Sequence, residues 1–322
     1  MQREVWDFLA SHLRNRKRVA LLAVLESSGA SPGRAGFVMS VAESGERIGT
    51  IGGGIMEVQW AERALAAIRT ETLPHPVVKR LYHSAETRFE PSGLICSGWQ
   101  TVLLKPLDIV ALPVVQQIRE AFDRHSCGRL RIGPSEFAFQ PDLRDATDTH
   151  FVWSDENSWQ YEQAVGVLDT VFVVGSGHVG LALCRIMATL DFRVVVFDDR
   201  PTVETFVHNT FAHQKHCCSY DRIGQWIDGN AHEYVAVVTT GYKSDEAALR
   251  ALVRKNVRYI GLMGSAAKTA QVFSDLRREG IDEAFLRRIR TPIGLPIASH
   301  TPQEIAISIA AEIIQLRNRP SL

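Results

Sequence analysis

Two glycine-rich turns carry most of the chemistry this 322-residue sequence offers. One is Gly175-Ser176-Gly177-His178-Val179-Gly180. It follows the apolar run Thr170–Val174 and leads into a segment of helical character, and Asp198 ends the next apolar run about 20 residues on. In such a unit the first glycine allows a tight turn and the second lets a phosphate reach the backbone. The third lets the helix lie close on the strand, and the acidic residue meets a ribose hydroxyl. Free N–H groups and the positive end of the helix dipole favour an anion there. The same turn also serves strand–helix packing alone, with no phosphate site. His178 is either a neighbour of bound phosphate or a solvent-facing first residue of the helix.

The other turn is Gly49-Thr50-Ile51-Gly52-Gly53-Gly54-Ile55-Met56-Glu57. Three consecutive glycines are costly to order, so Gly52, Gly53 and Gly54 point to unusual backbone angles or a close backbone approach. Such a run can form a nest of N–H groups that holds an anion. Glu57 falls in the first turn of the helix that follows. It has two readings of equal standing: a charge that suits the helix dipole, or a carboxylate that contacts a ligand.

These turns need elements to hold them. Val5, Leu9 and Leu13 recur at helical spacing, so a helix is expected over Val5–Leu13. Val19–Leu25, Phe37–Val41, Val77–Tyr82 and Thr101–Leu104 read as strands, and a helix runs from the first turn to about Ile68. Beyond residue 165 strands and helices alternate. Thr170–Val174, Arg193–Phe197, Tyr234–Thr239 and Tyr259–Leu262 are strands, Arg288–Ile293 is a weaker one, and residues 141–150 read as a loop. Thr301-Pro302-Gln303-Glu304 is a capping box, and Ile305, Ile309, Ile313 and Leu316 form one face of a last helix. The expected fold class is α/β: an N-terminal α+β domain over 1–165 and a C-terminal Rossmann-like parallel sheet over 166–322.

Composition removes several function classes. The 36 basic and 36 acidic residues balance, which argues against a nucleic-acid footprint. The basic cluster Arg14–Arg18 sits where the first helix should end, a place that suits cations. No apolar run spans a membrane, and the start lacks the pattern of a signal peptide. Five cysteines without zinc-type pairs suit a reducing cytoplasm. His213, His216, Cys217 and Cys218 fall in one polar stretch, read as a loop or strand end, with a metal or sulfur-transfer site as the rarer reading. Ser265 and Lys268 follow the fourth Rossmann strand at its C-terminal end, where ligands of open α/β sheets sit. Lys268 is there either to neutralise a phosphate or to face solvent. Ser244 and Asp245 read as a helix start.

Taken in order along the chain, these motifs resemble the XdhC/CoxI family, accessory factors of molybdenum hydroxylases. They are Gly29-Ala30-Ser31-Pro32-Gly33-Arg34, Gly49–Glu57, Cys96-Ser97-Gly98, the Rossmann turn with Asp198-Asp199-Arg200, Tyr259–Ser265 with Lys268, Pro292–Leu295 and Thr301–Ala306. The chain departs from the family pattern at Ser97, which replaces a glycine, at Gly33, inserted before Arg34, and at Gly241-Tyr242-Lys243, where a histidine is common.

The resemblance implies a protein that holds the molybdenum cofactor (molybdopterin) and passes it to an apo molybdenum hydroxylase of the xanthine dehydrogenase type, a chaperone more than a catalyst. It also implies contact with a cysteine desulfurase in some members, and it is compatible with a homodimer. Cys96, within a family motif, becomes the candidate molybdenum ligand, since soft sulfur suits such a metal; as a residue it reads equally as a small buried hydrophobe. Glu57 and Asp198 are candidates for the pterin edge. Two readings from other classes remain beside this one: an NAD(P)-dependent oxidoreductase and a nucleotide-sensing regulatory protein. Both rest on the turn at Gly175–Gly180, where NAD(P) or another nucleotide fits.

Overall fold

The computed structural model describes residues 2–70, 75–82, 98–141 and 149–318. The chain divides into two compact units, Met1–Gly166 and Val167–Leu322.

The first unit opens with α1 (Gln2–Arg14), which buries Val5, Trp6, Leu9, Ala10 and Leu13 along one stripe. β1 (Val19–Ser28), β2 (Val38–Ala42) and β3 (Arg47–Gly49) follow, then α2 (Gly54–Thr70), β4 (Val77–Tyr82) and β5 (Trp99–Leu107). These strands form an antiparallel sheet in the order β3-β2-β1-β5-β4. Helix α2 lays Met56, Trp60, Ala64 and Ile68 on Leu22, Val24, Met39, Val102 and Leu104 of one face. A bulge in β1 between Val24 and Glu26 brings Glu26 opposite Thr101. Such an extra residue re-aims the side chains beyond it.

A second layer has no clear signal in the sequence. After a 3-10 turn at Ile109–Ala111 comes α3 (Leu112–Asp123), then β6 (Cys127–Ile132), β7 (Phe137–Pro141), β8 (His150–Asp155) and β9 (Ser158–Gly166), an antiparallel sheet ordered β7-β6-β9-β8. β8 is almost wholly exposed and β7 buries one side chain in five, so their apolar signal is weak. Most of the expected loop at 141–150 lies outside the described residues.

The second unit contains β10 (Thr170–Val174), α4 (His178–Thr189), β11 (Arg193–Asp198), α5 (Glu204–Val207), β12 (Gln214–Cys217), β13 (Glu233–Val237), α6 (Tyr242–Leu252), β14 (Tyr259–Leu262), α7 (Ala266–Arg278), α8 (Glu283–Arg288), β15 (Ile289–Arg290) and α9 (Pro302–Arg317). Its sheet is parallel throughout, ordered β12-β11-β10-β13-β14-β15. This is the Rossmann order, with the chain reversing direction across the sheet between β10 and β13. Alternate residues of β10 feed two cores. Val171 and Val173 pack with Leu183, Met187, Ile309 and Ile313 of α4 and α9. Phe172 and Val174 pack on the other face with Leu249, Leu252, Val272 and Leu276 of α6 and α7.

The capping box is present: the Thr301 hydroxyl accepts from the Glu304 amide, and the Glu304 carboxylate accepts from the Thr301 amide. The expected strand at Arg288–Ile293 shortens to Ile289–Arg290: α8 takes Arg288, and the ladder to β14 ends at Arg290. The polar stretch around Cys217 is a strand, held by pairing to β11 rather than by its own apolar content.

Candidate functional site

The first glycine-rich turn is closed by its own glutamate. Gly52, Gly53 and Gly54 all have positive φ (127°, 76° and 71°), so the run occupies backbone space that other residues rarely enter. The N–H groups it exposes converge inward. Glu57 Oε2 accepts from the Ile51 and Gly53 amides, each at 2.9 Å, and from the Thr50 hydroxyl. Thr50 Oγ1 in turn accepts from the Gly52 amide at 3.1 Å. Burial raises the Glu57 pKa, but these hydrogen bonds and nearby Arg47 outweigh it and hold the carboxyl below its usual range. The anion of this nest is therefore the protein's own side chain. Gly53 keeps open space where a Cβ would stand.

Two of the motifs meet at Gln100, the fully buried second residue of β5. Its Nε2 donates to the Ile51 carbonyl at 2.9 Å, and its Oε1 accepts from the Ser31 hydroxyl at 2.8 Å and the Gly33 amide at 3.0 Å. A Cβ on the inserted Gly33 would stand 2.3 Å from the Ile51 carbonyl oxygen, so only glycine fits the contact. Gly98 is packed against the backbone of Ser28–Ser31 in the same way. Cys96 lies outside the described residues. No sequence signal singles out Gln100; it reads as an ordinary polar residue at a strand start.

Beside this junction, Glu26, Val78, Arg80, Thr101, Phe151 and Trp153 line a cavity of about 290 Å³. Glu26 Oε1 accepts from Arg80 at 2.6 Å and from the Thr101 hydroxyl at 2.8 Å, and the Arg80 guanidinium lies 4.2 Å from the centre of the Trp99 ring. Aromatic faces and a cation beside a carboxylate suit a planar, polar-edged ring system.

In the second unit each glycine of the Rossmann turn has a distinct local reason. Gly175 has φ 103°, and a Cβ there would stand 2.9 Å from the Thr239 amide. At Gly180 it would stand 2.1 Å from the Gly175 carbonyl oxygen. At Gly177, which caps α4 with no side-chain hydrogen bond, it would meet nothing within 4 Å. The start of α4 thus combines an uncapped helix N-terminus with open space, the arrangement that receives a phosphate. His178 is exposed at that start.

Asp198 faces inward. It is fully buried, and its two oxygens accept from the Ser176 amide and hydroxyl (2.7 and 2.6 Å) and from the Arg200 amide and guanidinium (2.9–3.0 Å). Burial raises its pKa, yet the Arg200 and Ser176 hydrogen bonds prevail and hold it at about 2. The carboxylate that the sequence offers to a ribose or pterin edge is committed to fastening β11 to the turn after β10.

Lys268 is also engaged. Its ammonium lies 2.5 Å from Oδ2 of Asp245, which is fully buried and also accepts from the Thr239 hydroxyl at 2.6 Å. Burial pushes the Asp245 carboxyl up, against the pull of Lys268 and Thr239. Ser265 caps α7, accepting from the Lys268 amide at 3.2 Å. Asp245 is therefore more than a helix start: with Thr239 and Lys268 it ties together the ends of β13 and β14, beside Gly175 at the reversal point. The pairing of residues 245 and 268 has no local signature in the sequence.

The thiols are dispersed. Cys184 is fully buried, and burial pushes its pKa up to about 12; Cys127 is buried, Cys217 exposed and Cys218 half-buried with its pKa raised by burial. The His216 ring stacks on Phe197 and lies tilted against Trp226, and burial and Arg193 lower its pKa. Among the described residues no group of three or more His, Cys, Asp or Glu side chains is placed to hold a metal, and no helix is long and apolar enough to cross a membrane.

Comparison with known proteins agrees with this arrangement. Residues 12–75 match the model of the XdhC and CoxI family, and residues 171–313 match that of the XdhC Rossmann domain. A Bacillus subtilis protein described as a probable xanthine dehydrogenase subunit is 25% identical, with 95% of this chain and 96% of that protein covered. An Escherichia coli protein, YqeB, described as uncharacterised, is 25% identical over 93% of this chain, which spans only 43% of that protein's length. A crystal structure from Bacillus halodurans, described as a xanthine dehydrogenase, has the same fold, with TM-score 0.76, 21% identity and coverage of 99% of this chain and 97% of that one. With one model of the family matching each unit, the chain belongs to the XdhC and CoxI family.

Proposed function

We propose that this protein is an accessory factor that binds the molybdenum cofactor and hands it to an apo hydroxylase of the xanthine dehydrogenase type. Family membership and the name of the Bacillus subtilis relative support the partner class. The observation that carries the reading is the meeting of two family motifs on Gln100, with Gly98 of a third packed on the first and the cavity of Glu26, Arg80 and Trp153 beside them. A backbone junction built on glycine contacts and one buried amide suits holding more than turnover.

The residues fit the organic part of such a cofactor. A pterin is a flat heteroaromatic whose amide edge pairs with a carboxylate, here through Oε2 of Glu26, since Oε1 accepts from Arg80 and Thr101, and whose face stacks on Trp153 and Phe151. Gly52, Gly53, Gly54 and Glu57 shape the backbone next to it rather than supplying a free anion nest. Cys96 would supply the thiolate for molybdenum. Bound there, the cofactor contributes the metal–dithiolene group that the client hydroxylase uses; this chain's own residues stack, hydrogen-bond and shield it.

A second reading concerns the Rossmann unit, where the open Gly177 at an uncapped helix start favours a phosphate. We propose that Gly175, Gly177, His178 and Gly180 receive the phosphate of NAD(P) or another nucleotide, or that of the pterin. Lys268 and Ser265 act at the rim only if Asp245 releases the ammonium. A cysteine desulfurase partner and a homodimer belong to the same proposal.

The deciding experiment uses the full chain purified from cells that make molybdopterin. Oxidation to the fluorescent pterin product, with molybdenum assayed on the same sample, is expected to give near-stoichiometric amounts of both. Neither pterin nor metal, together with NAD(H) binding by titration, overturns the carrier reading in favour of a nucleotide-binding one.

A further inference from the structure

A second cavity of the first unit presents a cation, Lys105, with no counter-charge among the described residues. It measures about 840 Å³ and is lined among others by Arg16, Arg18, Lys105, Leu107, Val110 and Phe137. Lys105 is placed by β5. Leu104 turns to the α2 core, so its neighbour in the strand points to the opposite face of the sheet. Only 9% of Lys105 is exposed. Among the described residues no carboxylate or other acceptor pairs with its ammonium, whose neighbour is the Phe137 ring, 5.9 Å to its centre.

The acids nearby are committed elsewhere. Asp108, also in the lining, accepts from the Val110 amide at 2.9 Å to cap the 3-10 turn, and Glu43 pairs with Arg18 at 3.1 Å. Burial lowers the Lys105 pKa. The side-chain stem is buried while the ammonium reaches the water of the cavity, where an anion can replace that water. An unpaired lysine ammonium facing a spacious cavity, with Arg16 and Arg18 in the same lining and Leu107, Val110 and Phe137 as apolar wall, is the complement of an anion with an apolar body. The volume falls in the range of about 300–1,000 Å³ typical of small-molecule sites.

We propose that this cavity binds a small organic oxyanion, with the Lys105 ammonium as its central contact and Arg16 and Arg18 flanking it. The inference is independent of the cofactor-carrier reading and uses none of the residues assigned there.

Phenyl phosphate is the probe, titrated into the full chain by calorimetry at low salt. Lys105→Arg is expected to keep binding and Lys105→Met to weaken it by about tenfold or more, the scale of one charge-assisted hydrogen bond. A companion measurement needs no variant. Lysine acylation followed by mass spectrometry is expected to show Lys105 protected by phenyl phosphate while exposed Lys17 reacts at an unchanged rate. Absence of binding, binding that Lys105→Met leaves intact, or labelling of Lys105 that the probe does not slow overturns the proposal. Binding lost instead in Gly177→Asp would move the anion site to the Rossmann turn.

Discussion

The Gly53 amide donates to the Glu57 carboxylate across 2.9 Å, from one end of a glycine-rich turn to the helix it begins. The sequence offers this turn as an anion nest; the fold fills the nest with a side chain four residues on. Glu57→Gln therefore replaces an acceptor shared by three donors with a neutral amide that carries donors of its own. The expected loss is about 1–3 kcal/mol in urea unfolding, with pterin retention falling in parallel. Because the folded pKa lies below the ordinary value of 4.5, the carboxylate's contribution is full above that pH and fades as pH falls through the folded pKa. The gap between wild type and variant should close on acidification; a gap independent of pH contradicts this account.

Asp198 predicts a similar pH dependence in the second unit. Its pKa is about 2 when folded against an ordinary value of 3.8, so its contribution is complete at neutral pH and is lost between those values as pH drops. Asp198→Asn is expected to cost about 3 kcal/mol, since it strands the Ser176 and Arg200 donors. Thermal midpoints measured from pH 7 down to pH 2 should converge for the two proteins.

The glycines of the Rossmann turn should separate by substitution. Gly180→Ala puts a Cβ 2.1 Å from a carbonyl oxygen and is expected to destabilise by about 1–3 kcal/mol through overpacking. Gly177→Ala meets nothing and should leave stability within about 0.5 kcal/mol. Gly177→Asp should likewise fold but lose nucleotide or phosphate binding by titration. Unchanged binding in that variant removes α4 from the proposed site.

Lys268→Met leaves Asp245 buried without its cation. The expected cost is about 2–3 kcal/mol, moderated because the lysine side chain is 22% exposed. Adding Asp245→Asn should recover part of the loss, a coupling that a double-mutant cycle in chemical denaturation reads directly. Strict additivity would show the ion pair to be incidental.

Cys96→Ala is expected to lower molybdenum content of the purified protein while its circular dichroism and melting stay those of wild type. Equal metal and pterin in the two proteins would take Cys96 out of the proposed site.

What the sequence determined by itself was local. The capping box of α9, the steric roles of Gly175 and Gly180 in the Rossmann turn and the strands at Val77–Tyr82, Thr170–Val174 and Tyr259–Leu262 follow from neighbours within a few residues, where steric rules and apolar periodicity act directly. The α/β class follows from the order of those elements, and the family from the order of the motifs. Only the tertiary structure decided which groups remain available. Asp198 and Lys268 have the residue types of ligand contacts, yet Ser176, Arg200 and Asp245 claim them. Gln100 and Lys105 have no local pattern, yet one joins two motifs and the other is left unpaired, among the described residues, in a cavity. The reason is physical: a hydrogen bond or an ion pair depends on distance and burial, and both are set by segments far apart in the chain. The exposed strand β8 and the polar strand β12 were hidden for the same reason, being held by pairing to their neighbours rather than by apolar residues of their own.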